Sequence, residues 1–488
     1  MEFYLLAVTL SYLAFMIAYV VKKLNLANDR ASFFSVSTAG DRSSSLKTLK
    51  RTFEASNATF STSILGLYGL ASYNLFYALY LIIGYLLGVL FFAKYFLPKM
   101  EVHLKQDRLV PEVLTHASGS RIAGLTLTCV LGISMLAFFY TEVLSFSLLF
   151  LGEGLKSSEV YSGSFPPEII TILLLVMLGA YISLSGYRSL VATDSIQLML
   201  IRLGCFALLV ITLVKLSDDP AALLQLIIAD FEAFPHWVMF PAIVLGLVLA
   251  QVGYYENWLR ISLFYARFAD EKQGDTGKFF IDASRQFERA VPRLFALYCV
   301  PLLLAVAAKT EGTSSLYALL EQVWYGSAWG MIAVALALLA FVSALLSTAD
   351  TYLLTCVHLL SRHFKKLESL TALRTTAILL SVSAMPFVAL NIDIGPWLQF
   401  LFYSGNGLIG PVIFATLGWR LNGPIATLLT LSGVLVALLF IQNDFIDIVA
   451  AAVVATSLVM TYVTSKKPTA SQLEQGLDCE PATNGDVK

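Results

Sequence analysis

The chain has few charged residues, and its cysteines do not form a recognisable motif. Only 13% of its 488 residues are charged, and its five cysteines are scattered without a CxxC motif or a Cys/His cluster. A soluble domain of this length would carry far more surface charge, and the cysteine spacing predicts neither a disulfide framework nor a zinc site. No nucleophile–base pair or phosphate-binding loop stands out, so we do not expect an enzyme or a cofactor.

Long apolar runs are what the chain has instead. The residues are 58% hydrophobic and the mean hydropathy is +0.76, so the sequence predicts an all-α membrane protein with several spans. We expect about thirteen transmembrane helices, numbered here as segments 1 to 13: 2–21, 47–75, 77–98, 124–150, 167–186, 189–215, 236–260, 292–310, 329–362, 370–391, 395–419, 423–442 and 446–464.

Two of these segments are interrupted by glycine. Segment 2 begins with the polar stretch RTFEASNATFSTS and contains Gly66 and Gly69, and segment 7 contains Gly246 and Gly253. Short or glycine-interrupted helices in corresponding positions indicate the binding site of a transporter. We therefore predict two broken helices.

The distribution of Lys and Arg predicts the orientation. With the N-terminus outside and the C-terminus cytoplasmic, most basic residues fall in loops on the inner side of a plasma (inner) membrane. The basic 261–291 stretch is predicted either as an amphipathic helix on the inner leaflet or as a solvated loop. The polar end, 466–488, is predicted to be a disordered cytoplasmic tail.

Segment 9 carries polar residues in its middle, in FVSALLSTADTYLLT. Ala344, Ser347 and Thr348 are spaced to share one helix face, and their oxygens are the kind of ligand that a hard cation takes. The alternative is that the hydroxyls bond the carbonyls of their own helix. Asp350 favours an ion site, because an acid in mid-span is a functional hypothesis by default.

Four stretches resemble the sodium:solute symporter family, in the order that the family has them: NATFSTSILGLYG (57–69), RLVPEVLTHASGSR (108–121), GYRSLVATDSIQ (186–197) and SALLSTADTYLL (343–354). Tyr68 stands where the family often has proline. The resemblance implies a leucine-transporter-like fold of two inverted five-helix repeats. It divides the chain into a first helix and cytoplasmic loop, two repeats, two peripheral helices and the tail: 1–46, 47–215, 236–420, 423–465 and 466–488.

The resemblance also implies an ion site and an exit path. The sodium ligands would be the carbonyls of Ser56, Thr59 and Ala344 and the hydroxyls of Ser347 and Thr348. Asp194 matches an aspartate thought in the family to help the ion leave, and the alternative is an acid that satisfies a helix dipole. Asp194 and Asp350 together form the expected ion path.

We expect the solute beside the two broken helices. The candidate residues, each of which could instead have a packing or capping role, are Ser61, Thr62, Gln251, Tyr254, Ser404 and Asn406. Arg202 falls in mid-membrane, where a lone arginine needs a partner. It is predicted either to pair with Asp350 or Glu256, which we favour, or to bind a substrate carboxylate.

These features predict a sodium-coupled symporter for a small polar organic solute. Two alternatives stay open: a transporter-like sensor with a separate signalling partner, and a proton-coupled carrier that uses Asp350, Asp194 or Glu256. The expected partners are the solute and the lipid bilayer, with no nucleic acid and no obligate protein partner. The sequence does not identify the solute, because fold does not fix ligand.

Overall fold

The computed structural model describes residues 2–23, 27–36, 42–151, 167–218, 220–234, 236–271, 276–310, 312, 316–386, 400, 403–440 and 446–467. Every structural statement below concerns these residues, which contain helices and a single isolated β-bridge. The first half of the chain forms the helices α1 Glu2–Lys23, α2 Arg30–Phe33, α3 Arg42–Asn57, α4 Leu67–Tyr73, α5 Leu75–Phe91, α6 Leu97–Leu104, α7 Val110–Ser118, α8 Arg121–Leu151, α9 Pro167–Ser185 and α10 Tyr187–Asp218. The second half forms α11 Pro220–Ala233, α12 His236–Ala250, α13 Tyr255–Glu271, α14 Thr276–Thr310, α15 Leu316–Gly326, α16 Ala328–His363, α17 Leu370–Val382, α18 Ile409–Thr416, α19 Gly423–Leu439 and α20 Ile446–Thr464.

Seven helical stretches of the described chain are long and apolar enough to cross a membrane, and five more are apolar but shorter. This confirms the prediction of an all-α protein with several membrane spans. The number thirteen, the division into two inverted repeats and the orientation of the termini stay predictions. Residues 387–399, where segments 10 and 11 were predicted to meet, lie outside the described residues.

Segment 2 is broken in the middle. Helix α3 ends at Asn57, Thr59 is extended with ψ 146°, and a π-helix, Phe60–Gly66, leads into α4. The Thr59 hydroxyl accepts the backbone N–H of Ser63 at 2.8 Å, so the new helical piece begins with a side-chain cap. A Cβ at Gly66 would lie 3.0 Å from the Ser61 carbonyl oxygen, so any larger residue there would require the π turn to shift.

Segment 7 is broken as well. Helix α12 ends at Ala250, a turn covers residues 251–253, and α13 begins at Tyr255. The Trp258 indole N–H donates to the Val252 carbonyl at 2.9 Å and so fixes the turn against α13.

Helices α10 and α16 pack closely. A Cβ at Gly204 would meet the Cβ of Ala340 at 2.3 Å and the carbonyl oxygen of Leu336 at 2.5 Å. A small residue at such a crossing lets two membrane helices approach backbone to backbone. The hydroxyl-bearing face of α16 therefore lies against α10.

The described part of the 261–291 stretch is helical rather than a loop. Helix α13 continues through residue 271 and α14 begins at Thr276, so both helices extend beyond the predicted spans, and residues 272–275 lie outside the described residues. Phe264, Phe279, Phe280 and Phe287 are buried, and the Phe287 ring lies 4.2 Å from that of Phe53 on α3. The basic residues of this stretch flank a buried aromatic face, which periodicity alone did not show.

Two further predictions need correction. Arg202 pairs with Glu54 of α3 rather than with Asp350 or Glu256, and Arg293 is the second partner of the same carboxylate at 3.4 Å. Lys466 was assigned to the disordered tail, yet its backbone N–H donates to the Arg420 carbonyl at 2.9 Å. Residues 468–488 lie outside the described residues.

Candidate functional site

The five predicted sodium ligands lie on two segments that pack against each other, α16 and the first break. Ser56, Thr59, Ala344, Ser347 and Thr348 are all buried. Helix α16 packs against both α3 and the π-helix, and the rings of Phe60 and Phe341 are 5.3 Å apart. The structure thus brings segments 2 and 9 together.

The hydroxyls of α16 face the protein interior. The Ser347 hydroxyl donates to Asp194 Oδ1 at 2.8 Å, and the Thr348 hydroxyl donates to the Ala344 carbonyl at 2.9 Å. The second bond is the intrahelical contact that the alternative interpretation predicts. A carbonyl and a hydroxyl oxygen each have two lone pairs, so both atoms keep the capacity to bind a cation.

Asp194 and Asp350 form a pair of fully buried carboxylates beside these hydroxyls. Tyr181 donates to Asp350 Oδ2. Asp194 Oδ2 and Asp350 Oδ1 accept no hydrogen bond, and the amide of Gln197, also buried, has no partner. Buried polar atoms are normally satisfied, so this group of oxygens has the chemistry of a cation or proton site.

Arg260 is the cation that interacts with this region. It is 1% exposed, lies within electrostatic reach of Asp194, and donates to the Ser56 hydroxyl at 2.5 Å. With both aspartates ionised, the pair carries two negative charges, and the one guanidinium in the region interacts with Asp194. The remaining charge of −1 matches one monovalent cation, because an uncompensated buried charge is expensive.

Glu142 of α8 caps the π-helix, a role that was not predicted from the sequence. Its Oε2 accepts the backbone N–H groups of Phe60 and Ser61 at 3.2 and 3.1 Å, and its Oε1 accepts the Ser61 hydroxyl at 2.5 Å. A carboxylate is favourable at a helix N-terminus, where N–H groups lack partners. Glu142 is the one charged residue of segment 4, so the rule that singled out Asp350 would also have found it.

A cavity of about 1050 Å³ lies between the two broken helices. Four of the six predicted solute residues line it, namely Ser61, Thr62, Tyr254 and Asn406. Gln251 and Ser404 are fully buried but are not among its lining residues. The cavity therefore joins the first break, the second break and the start of α18.

Seven tyrosines line this cavity: Tyr73, Tyr77, Tyr85, Tyr254, Tyr298, Tyr352 and Tyr403. Two of them hold Asn57 at the first break, since the Tyr298 hydroxyl donates to its carbonyl at 2.8 Å and Tyr85 donates to its side chain. Arg202 is not among the lining residues, so the structure does not place it where a substrate carboxylate would bind.

Comparison with known proteins shows a similarity of fold. No protein-family model and no curated protein sequence matches the chain. The structure is similar to that of a Na+-coupled sialic acid symporter in its substrate-bound outward-open state, with a TM-score of 0.59 and 15% identity over 90% of this chain and 98% of the symporter. A manganese transporter from Eremococcus coleocola aligns with a TM-score of 0.42 and 15% identity over 90% of this chain and 99% of its own. The chain thus has an all-α fold that it shares with a membrane transporter.

Proposed function

We propose that this chain is a sodium-coupled symporter that imports a small polar organic solute by alternating access. The observation that carries the proposal is the buried group of oxygens around Asp194, Ser347 and Asp350, since α16 packs against the break that opens onto the cavity. Sodium would bind between α16 and the end of α3, and the solute would bind in the cavity. Because each ligand favours the same state, each raises the affinity for the other.

The proposed orientation follows from the distribution of basic residues along the chain. The N-terminus lies outside and the C-terminus is cytoplasmic, since Lys and Arg are concentrated in the loops assigned to the inner side of the membrane. Asp194 and Asp350 then lie on the route by which the ion leaves. Removing sodium leaves their charge uncompensated, and this favours a state in which water reaches them.

The test uses sodium itself as the ligand. Melting of the purified protein is measured over a series of NaCl concentrations, with KCl keeping the ionic strength constant. A ligand that binds only the folded state at 100 times its Kd adds about 2.7 kcal/mol of stability. We expect sodium to raise the melting temperature, and Asp194→Asn or the double variant Ser347→Ala/Thr348→Ala to require several times more sodium for the same rise.

The matched control lies on the same helix. Ser361 is buried, and its hydroxyl bonds the His358 carbonyl at 2.8 Å within α16. Ser361→Ala removes a hydroxyl away from the proposed site and should leave the sodium requirement unchanged. If the double variant melts with the wild-type dependence on sodium, the site assignment is wrong.

A proton is the second candidate for the coupling ion. Asp194 and Asp350 each keep one oxygen without a hydrogen-bond donor, so a shared proton would satisfy the pair as a sodium ion does. Stabilisation that follows pH and is equal in sodium and potassium salts would favour the proton.

A further inference from the structure

The charged residues of the cavity all have the same sign. Among its described lining residues are three acids, Asp230, Glu256 and Asp447, and there is no Lys, Arg or His. Asp230 is neutralised by Lys309 at 3.0 Å and also accepts the Leu75 N–H. Asp447 accepts the hydroxyls of Tyr77, at 2.8 Å, and Tyr403. Two of the three acids therefore have partners within the protein.

Glu256 is the acid with an unsatisfied oxygen. It lies in the first turn of α13 at the second break, and its Oε2 has neither a hydrogen bond nor contact with solvent. Arg260, one turn further along α13, interacts electrostatically with Glu256. Its terminal nitrogens donate elsewhere, to Asn257 at 3.2 Å and to Ser56 at 2.5 Å. A carboxylate oxygen that is buried without a donor is costly, and a positive group next to it would lower that cost.

Glu256 shares the cavity lining with several aromatic rings. Tyr85, Tyr254 and Tyr352 all interact electrostatically with its carboxylate. The Tyr85 ring meets the Tyr298 ring edge-on at 5.9 Å, and the Tyr352 ring stacks on Phe138 at 4.8 Å. The faces of such rings attract ammonium groups, and aromatic cages bind quaternary ammonium compounds in this way.

We propose that the solute is a small organic cation, an amine or quaternary ammonium compound whose positive group contacts Glu256 and the surrounding tyrosines. This proposal rests on the transport function proposed above, and it assigns the solute class for the same cavity. A free carboxylate on the solute would find no basic residue among the described lining residues, so anionic solutes are disfavoured. Glu256 determines specificity by neutralising the bound cation.

Three probes of similar size separate charge from shape. Choline carries a trimethylammonium group, 3,3-dimethyl-1-butanol replaces its nitrogen by carbon, and glycine betaine adds a carboxylate. Binding of each to the purified wild-type protein is measured by calorimetry, in sodium and in potassium salt. We expect choline to bind at least tenfold more tightly than either of the other two.

The variant Glu256→Gln should remove this preference, so that choline and 3,3-dimethyl-1-butanol bind with similar affinity. Glu101→Gln is the matched control, because Glu101 is paired with Lys105 at 2.8 Å on α6 and does not line the cavity. It should keep the wild-type preference. Equal wild-type affinities for choline and its neutral analogue, tighter binding of betaine, or no binding of choline each overturns the proposal, whether or not Glu256→Gln folds.

The two salts separate this proposal from the transport proposal. Choline binding that is the same in sodium and potassium would support the cationic solute and contradict sodium coupling. Sodium-dependent stabilisation without a preference for choline would support the coupling and contradict the cationic solute.

Discussion

At the first helix break, the backbone N–H groups of Phe60 and Ser61 bond a carboxylate from α8, whereas at the second break the acid belongs to the broken helix itself and keeps a free oxygen. The first break is also closed by its own side chains. Thr59 caps the π-helix, and the Ser63 hydroxyl donates to the Asn57 carbonyl at 3.0 Å. Its polar groups are largely satisfied within the protein.

The second break has fewer such contacts. Trp258 holds the Val252 carbonyl, but neither the Gln251 amide nor Glu256 Oε2 has a hydrogen-bond partner. Unsatisfied polar groups are costly unless a ligand or water satisfies them. The comparison indicates that the first break is held by contacts within the protein, whereas the second break leaves polar groups without partners.

The largest effect is expected at the first break. Glu142→Ala removes the acceptor for two buried N–H groups and one hydroxyl, and each donor left unsatisfied costs about 1–3 kcal/mol. We expect a loss of about 3 kcal/mol, measured as a lower melting temperature in detergent. Glu142→Gln keeps one acceptor oxygen and should lose less. A melting temperature equal to wild type for Glu142→Ala would show that the cap does not hold this break.

A smaller effect is expected at the turn of the second break. Trp258→Phe keeps an aromatic ring but loses the hydrogen bond to the Val252 carbonyl, which costs about 1 kcal/mol. The same melting assay measures it. Trp419→Phe is the control, since the Trp419 ring packs at 4.8 Å against Phe414 at the end of α18, and its melting temperature should change less. An equal change in both variants would mean that the bond to Val252 contributes nothing.

The smallest effect on stability is expected for Gln251→Leu. Its amide is buried and lacks partners, so an apolar side chain of similar size should change the free energy of unfolding by less than about 1 kcal/mol or raise it slightly. Gln197→Leu makes the same change beside Asp194 and should also raise the sodium concentration needed for stabilisation. A marked loss of stability in Gln251→Leu would show that its amide is satisfied and that the second break is as closed as the first.

The sequence predicts positions along the chain better than contacts between distant segments. Hydropathy located the helices, and glycine together with polar residues located both interrupted segments, because these features are local. The predicted partner of Arg202 was wrong because the sequence offers several acids, and only the packing of α3 against α10 selects Glu54. The roles of Glu142 and Arg260 depend on contacts with residues 81 and 204 positions away, which no local pattern contains.

The close crossing at Gly204 restricts how the protein can move. Helices α10 and α16 touch there without room for a Cβ, so sliding or rotating one past the other would drive backbone into backbone. We therefore expect the two helices to move together, so that Asp194 and Ser347 stay paired in every state of the proposed transport cycle. Access to the proposed ion site would then change through displacement of the broken helices relative to α10 and α16.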